Sequence, residues 1–303
     1  MKDYKELRKP IIFIGTGRSG STIISEILMR HKELAYPSNY HNLFYRFPIV
    51  GIVRNIFDNK LFRVFGSKQQ LNKVGFLNKY IFKPSESYNM WNYLTGEHID
   101  FSRDFLLDCS MSEERRDFIR SYFYKMVKYQ SKSRLALKIA GPSRMSCLLQ
   151  IFPDAYFILI RRSIIATISS LLKVDFWAEK GKSKLWFIGA YSKEELEWAE
   201  ENINKPLSIT TFQLKKIINS TDNELIRWKP NYLEVTYEEF VQDPNLIISK
   251  ILRFANLEKG SSDIFEVLGK LKIYNQNRNE NEYFSQEELD EIYSVLKSPI
   301  GMS

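Results

Sequence analysis

The chain has 303 residues, of which 44% are hydrophobic and 26% charged, as in a globular protein and unlike a disordered one. Its two cysteines are too few for a disulfide framework. The net charge of +8 favours an anionic partner such as nucleic acid, an anionic membrane surface or an acidic substrate. No segment reaches the roughly 18 consecutive apolar residues of a membrane span. We therefore expect a soluble, cytoplasmic protein, with peripheral membrane contact left open.

Short apolar runs alternate with helical patterns along the chain, which is typical of a βαβ arrangement. The predicted strands are 11–14, 33–36, 134–139, 155–160 and 232–236. The predicted helices are 20–31, 113–131, 143–151, 163–174 and 237–256. Uninterrupted apolar runs suit strands that are covered on both faces. We predict an α/β three-layer sandwich with a central, mostly parallel sheet, in a single domain over residues 1–303.

Two segments depart from this pattern. Residues 41–107 are basic, aromatic and weakly periodic, whereas residues 176–230 read as largely helical. Open α/β sheets bind ligands outside the carboxyl ends of their strands. We therefore expect both segments to be insertions beside a ligand site at that edge.

The first predicted strand leads into Gly15-Thr-Gly-Arg-Ser-Gly-Ser-Thr22, and a predicted helix follows. This spacing is that of a P-loop, in which glycines let successive N–H groups face one anion at a helix N-terminus. However, Ser21 stands where nucleotide triphosphatases carry their lysine, and the run at 155–160 ends in Arg161 and not in a Mg²⁺-binding aspartate. ATP or GTP hydrolysis is therefore disfavoured, and Arg18 can reach a phosphosulfate without a metal.

At this loop the chain resembles the sulfotransferases that use 3'-phosphoadenosine 5'-phosphosulfate (PAPS), and in particular their carbohydrate and tyrosylprotein branch. Their loop typically reads Gly-x-x-Arg-Ser-Gly-Ser/Thr-Thr, and residues 15–22 match it. The resemblance covers residues 11–40, 134–175 and 231–257 but not the two insertions, and it implies that these insertions set the choice of acceptor. It implies PAPS as co-substrate with no metal required, and it implies that the phosphosulfate is bound by Arg18, Ser19, Gly20, Ser21 and Thr22.

A second anion site is predicted where Arg161 ends a strand and Ser169 follows eight residues later. Arginine offers a charged fork and serine a short hydroxyl donor. By resemblance to the family, this pair binds the 3'-phosphate of PAPS, although Arg162-Ser163 replaces the Asp-Gly or Asp-Pro of many members. Arg278, in a late loop, is a further candidate for closing over that phosphate.

Sulfuryl transfer needs positive charge at the transferring group and a base for the acceptor proton. The resemblance implies that Lys138, near the end of the third predicted strand, supplies charge beside Arg18. Asn39 stands about where one branch of the family has a glutamate base. We therefore predict His41 as the base, because an unperturbed histidine has a pKa of about 6.5, with His98 or Asp108 as alternatives.

The acceptor is expected to be a hydroxyl or amine, most of all on a carbohydrate or glycolipid, because aromatic rings stack on sugar faces. One alternative is a P-loop kinase of a small molecule, which would require Mg²⁺ ligands. Another is a nonenzymatic protein that binds RNA or an anionic surface through residues 41–90. No nucleic-acid motif accompanies that segment, so we expect no nucleic-acid partner.

Overall fold

The computed structural model describes residues 7–59, 80–96, 98–258 and 262–301. The strands are β1 (Ile11–Gly15), β2 (Leu34–Ala35), β3 (Arg134–Ala140), β4 (Tyr156–Arg161) and β5 (Asn231–Thr236). Between β1 and β3 lie α1 (Ser21–Leu28), α2 (Asn39–Leu43), a 3-10 helix (Pro48–Val53), α3 (Arg54–Phe57), α4 (Tyr88–Thr95) and α5 (Glu113–Tyr129). Between β3 and β5 lie α6 (Met145–Ile151), α7 (Ile164–Leu172), α8 (Asp175–Lys180), α9 (Lys193–Glu201) and α10 (Pro206–Trp228). After β5 come α11 (Tyr237–Gln242), α12 (Pro244–Phe254), α13 (Ser262–Lys270), α14 (Glu280–Tyr283) and α15 (Gln286–Lys297).

The strands form one sheet in the order β2-β3-β1-β4-β5, and every neighbouring pair is parallel. At the centre, Phe13 of β1 lies opposite Lys138 of β3 on one side and Ile158 of β4 on the other. Parallel strands end at a common edge, so the segment after β1 emerges between the carboxyl ends of β3 and β4. The predicted strands and their parallel arrangement are confirmed.

Helices cover the sheet on both faces. On one face Ile12, Ile14 and Leu137 are buried with side chains of α4, α5 and α6, including Trp91 and Phe123. On the other face the alternate strand residues are buried against α1, α12 and α13. They are Phe13, Ile158 and Ile160 from the strands and Ile24 and Ile247 from the helices. The predicted three-layer sandwich is confirmed.

The helix predicted over 237–256 is divided in two. Asp243 ends α11, and its carboxylate accepts a hydrogen bond from the Leu246 N–H (2.9 Å) at the start of α12. Pro244 is the first residue of α12, where a proline has no N–H to lose but prevents the preceding helix from continuing. The break follows from a cap and a proline in adjacent positions.

The two segments outside the sheet pattern border its carboxyl edge. The first carries α2, the 3-10 helix, α3 and α4, and an isolated bridge between Ser38 and Pro84 holds its two described parts together. The second carries α8, α9 and α10, and α10 packs on α7 and α15. Residues 60–79, which include part of the basic segment, lie outside the described residues.

Candidate active site

The loop at residues 15–22 turns sharply into α1. Gly20 is the N-cap of α1 with φ at 83°, and Arg18 also has a positive φ of 69°. A side chain at Gly20 would meet the ring of Tyr237. The first turn of α1 contains no acidic residue, so the partial positive charge of the helix N-terminus is not offset there. The loop therefore has the geometry that an anion requires.

Ser19 contributes a hydroxyl to the interior of this loop. Its Oγ is shielded from solvent and has no hydrogen-bond partner among the described residues. A buried hydroxyl without a partner is costly, and a bound ligand oxygen is one way to satisfy it. This observation supports an anion in the loop independently of its sequence pattern.

Lys138 joins the loop to the first inserted segment. Its Nζ donates to Thr22 Oγ1 (2.9 Å) and to Glu86 Oε1 (2.7 Å). The side chains of Lys138 and Glu86 are only 15% and 19% exposed. Burial alone would raise the pKa of Glu86, but the charge of Lys138 and its hydrogen bond outweigh this effect and leave that pKa below its usual value. Glu86 is therefore held as a carboxylate.

A cleft of about 550 Å³ opens over this pair. Its polar end is lined by Arg18, Thr22, Glu86 and Lys138, and its other end is lined by Leu171, Phe176, Trp177, Trp186, Phe187 and Ile217. The volume lies within the range of about 300–1,000 Å³ that small-molecule sites occupy. The cleft thus places a carboxylate, an ammonium group and a guanidinium beside an apolar chamber.

A second cationic position adjoins the loop, one residue later than predicted. Arg162 donates from Nη1 to the carbonyl oxygen of Arg18 (2.9 Å) and from Nε to Asn277 Oδ1 (2.8 Å). Arg18 in turn donates from Nε to Ser170 Oγ (2.9 Å). The guanidinium of Arg162 also lies over the ring of Tyr237, at 4.7 Å. Arg162 and Ser170 are therefore the arginine and serine that the fold brings to the loop.

Arg161 and Ser169 point elsewhere. Arg161 forms ion pairs with Asp222 of α10 and, at 2.9 Å, with Glu234 of β5. Ser169 is only 2% exposed within α7. No hydrogen bond or ion pair among the described residues joins either side chain to the 15–22 loop. Arg161 is the last residue of β4 and Arg162 follows it directly, and neighbouring side chains along extended backbone point to opposite sides, so the two arginines diverge.

His41 lies outside the cleft. It is fully buried, and Nδ1 contacts Ser38 Oγ (2.8 Å) and accepts from the Ser38 N–H (3.2 Å), which closes the N-terminus of α2. Burial lowers the pKa of His41 to about 4, with the Pro48 carbonyl acting in the opposite direction. This position gives His41 a capping role and no access to an acceptor. We therefore withdraw it as the base.

The two alternative bases are also absent from the cleft lining. His98 is exposed, and Asp108 pairs with Arg227 at 2.6 Å on the surface. Arg278 is exposed, and its backbone N–H donates to the Tyr283 hydroxyl (2.8 Å). Its neighbour Asn277 contacts Arg162, so the late loop does reach the second cationic position.

Glu86 is the site residue that sequence reasoning missed. It and Asp58 are the only acidic residues between positions 41 and 90, against eight lysines and arginines. An isolated acidic residue in this basic segment was the signal that could have pointed to Glu86. Glu86 is far from β2 along the chain, so its position in the cleft was not evident from the sequence. The bridge between Ser38 and Pro84 brings it there.

A family model with the description "Sulfotransferase family" matches residues 10–261. The chain belongs to the sulfotransferase family. The enzyme class predicted from the sequence is thereby confirmed. A search of curated proteins finds no match.

The solved structures that are similar to this chain include two sulfotransferases and a retinol dehydratase. Sulfotransferase STF9 from Mycobacterium avium is 17% identical, with a TM-score of 0.57 and coverage of 95% of this chain and 76% of that one. STF1 from Mycobacterium tuberculosis is 16% identical, with a TM-score of 0.44 and coverage of 96% and 77%. Retinol dehydratase in a complex with retinol and PAP is 14% identical, with a TM-score of 0.41 and coverage of 97% and 82%. The likeness to STF9 shows a shared fold.

Among the residues that the structure describes, no helix is both long and apolar enough to cross a membrane. Within the same residues, no group of three or more histidine, cysteine, aspartate or glutamate side chains is arranged to hold a metal ion.

Proposed function

We propose that this enzyme transfers the sulfuryl group of PAPS to an acceptor hydroxyl or amine, with Glu86 as base and Lys138 as the stabilising cation. The observation that carries the proposal is the position of Lys138, bonded at once to Thr22 of the 15–22 loop and to Glu86 in the cleft. One ammonium group thereby connects the expected donor site with the expected acceptor site.

The donor is proposed to lie across the 15–22 loop and the second cationic position. The N–H groups of the loop, with Arg18 and the side chains of Ser19, Ser21 and Thr22, would hold the 5'-phosphosulfate, and Gly20 permits the turn. The predicted pair for the 3'-phosphate is replaced by Arg162 and Ser170, which keep the same eight-residue separation. Arg278 stays a candidate for closing over that phosphate, since Asn277 beside it binds Arg162.

In the proposed reaction, the acceptor oxygen attacks sulfur as the bond between sulfur and the bridging phosphate oxygen breaks. Glu86 takes the acceptor proton, and the bridging oxygen leaves with the bond's electron pair as part of PAP. Lys138 has three N–H donors, so it can retain Thr22 and Glu86 and still donate to that leaving oxygen. Positive charge placed where negative charge develops lowers the barrier.

A carbohydrate or glycolipid remains the proposed acceptor. Trp186 and Phe176 line the cleft, and aromatic faces of this kind suit the apolar face of a sugar ring or a lipid chain. A peripheral membrane contact is proposed for α2 and the 3-10 helix, beside Arg46, where large apolar side chains are exposed. They are Leu43, Phe44, Phe47, Ile49 and Ile52. A cytoplasmic location is compatible with both proposals.

Donor binding tests the proposed function against the kinase alternative. Isothermal titration with PAP should show binding without Mg²⁺, and Arg18→Ala should weaken it by about tenfold or more, as expected for a charged hydrogen bond. ATP with Mg²⁺ should bind far more weakly than PAP. Binding of ATP with Mg²⁺ and none of PAP would instead identify a kinase-like site.

A further inference from the structure

The cleft has a second arm on the far side of Glu86. A separate cavity of about 300 Å³ shares Thr22, Glu86, Tyr88 and Lys138 with the main cleft. The two cavities therefore meet at the proposed reacting groups. An acceptor bound with its hydroxyl at Glu86 can extend into both.

The larger cavity presents a fixed aromatic wall. Trp177 is almost fully buried, and its indole N–H donates to Thr210 Oγ1 (3.0 Å), which fixes the ring. Phe187 is buried beside it, and Phe176 remains 49% exposed at the same cavity. Lys180 lies over the ring of Trp186 at 4.5 Å. This arm therefore offers an aromatic surface to an apolar group.

The smaller cavity is lined largely by hydrogen-bonding side chains. Ser25, Asn42, Ser85 and Ser87 line it, together with the shared residues. Asn42 accepts from the Asn89 N–H through Oδ1 (3.2 Å), and its Nδ2 has no partner among the described residues. This arm therefore offers donors and acceptors at close spacing, as a group with several hydroxyls requires.

We propose that the acceptor has two parts, a hydroxylated ring in the smaller arm and an apolar group in the larger arm, as in a glycoside with an apolar aglycone. This inference rests on the proposed function, since it takes Glu86 as the point of proton removal. It excludes both a free sugar and a simple apolar alcohol as good acceptors. Each would leave one arm filled with water and lose the contacts of that arm.

The test compares matched acceptors with labelled PAPS: benzyl glycosides of glucose, galactose and N-acetylglucosamine, the three free sugars, and benzyl alcohol. At least one benzyl glycoside should have a kcat/KM about tenfold or more above both its free sugar and benzyl alcohol, because each buried apolar carbon contributes several-fold to binding. Equal values for the free sugar or for benzyl alcohol would overturn the inference, as would transfer to none of the glycosides by protein that binds PAP. Failure to bind PAP would instead overturn the proposed function.

Variants of each arm make the test specific. Phe176→Ala should reduce the advantage of the benzyl glycoside over the free sugar to less than about threefold, since it removes apolar contact area. Asn42→Ala should reduce its advantage over benzyl alcohol, because a hydrogen bond to the sugar is lost. Phe265→Ala, on α13 and in neither cavity, is the control and should change neither ratio. An unchanged ratio in both arm variants would contradict the assignment of the arms.

Discussion

Arg18 donates a hydrogen bond from Nε to Ser170 Oγ over 2.9 Å, which ties the 15–22 loop to α7. The carbonyl oxygen of Arg18 accepts from Arg162 in the same region. These contacts bring two guanidinium groups and a hydroxyl together at the end of β4. They favour Arg162 and Ser170, which neighbour the predicted pair, as the candidates for the proposed 3'-phosphate site.

Arg162→Ala should weaken PAP binding by about 10- to 100-fold, because a charged hydrogen bond to phosphate is lost. It should weaken binding of adenosine 5'-monophosphate much less, since that ligand has no 3'-phosphate. Calorimetric titration of both ligands measures the difference.

Ser170→Ala should also reduce PAP affinity. Ser169→Ala is its matched control and should leave PAP affinity unchanged. A larger loss of PAP affinity in Ser169→Ala than in Ser170→Ala would favour Arg161 and Ser169 as the 3'-phosphate site.

Replacing Lys138 should raise the pKa of Glu86. In Lys138→Met the attraction that lowers this pKa is gone, while burial of the carboxylate remains and favours the neutral acid. The pKa of Glu86 should therefore rise relative to wild type. Carboxyl ¹³C shifts followed during a pH titration report it, with Lys132→Met, at the remote Lys132–Asp58 pair, as control. An unchanged pKa would show that Lys138 does not hold Glu86 ionised.

The capping role of His41 predicts a loss of stability in acid. Its folded-state pKa of about 4 lies below the unfolded value of about 6.5, so the unfolded chain binds the proton more readily. The neutral ring's contribution to the free energy of unfolding is fully present above pH 6.5. It is lost as the pH falls towards 4, and the total loss is about 3 kcal/mol.

Urea unfolding at pH 7 and pH 4 measures this contribution. His41→Gln should show a drop in unfolding free energy that is smaller than the wild-type drop by about this amount, whereas the exposed His98→Gln should behave as wild type. Equal drops in His41→Gln and wild type would contradict the burial of a neutral His41.

Gly20→Ala should destabilise the fold. The residue has a φ of 83°, and a methyl group there would meet the Tyr237 ring, so strain of about 1–3 kcal/mol is expected. Gly17→Ala is the matched control, since its methyl group would come no closer than 3.9 Å to Leu171. Urea unfolding measures both variants. A loss in Gly17→Ala as large as that in Gly20→Ala would argue against this source of strain.

The sheet could be predicted from the sequence because its strands are apolar at successive positions. All of Ile11–Gly15 and the central residues 157–160 of β4 are buried, so these strands are apolar at consecutive positions, and this signal needs no knowledge of distant contacts. The 15–22 loop could be predicted for a related reason, since its glycines and serines are adjacent in the chain. Local requirements of this kind are visible in a single sequence.

The positions of the second arginine–serine pair and of His41 could not be predicted, because they depend on how the chain packs. Arg161 with Ser169 and Arg162 with Ser170 have the same eight-residue separation, so spacing alone cannot decide between them. The orientation of the last strand residue decides it. His41 has the right chemistry for a base, but its burial at the start of α2 depends on residues that surround it only after folding.

The proposal that Glu86 removes the acceptor proton while Lys138 stabilises the leaving group is tested most directly by transfer of radioactive sulfate from PAPS. With a benzyl glycoside that wild type accepts, Glu86→Gln should lower kcat by about 100-fold or more, the usual range for loss of a general base, and should leave PAP affinity within about twofold. A Glu86→Gln enzyme that transfers sulfate at the wild-type rate would contradict the account.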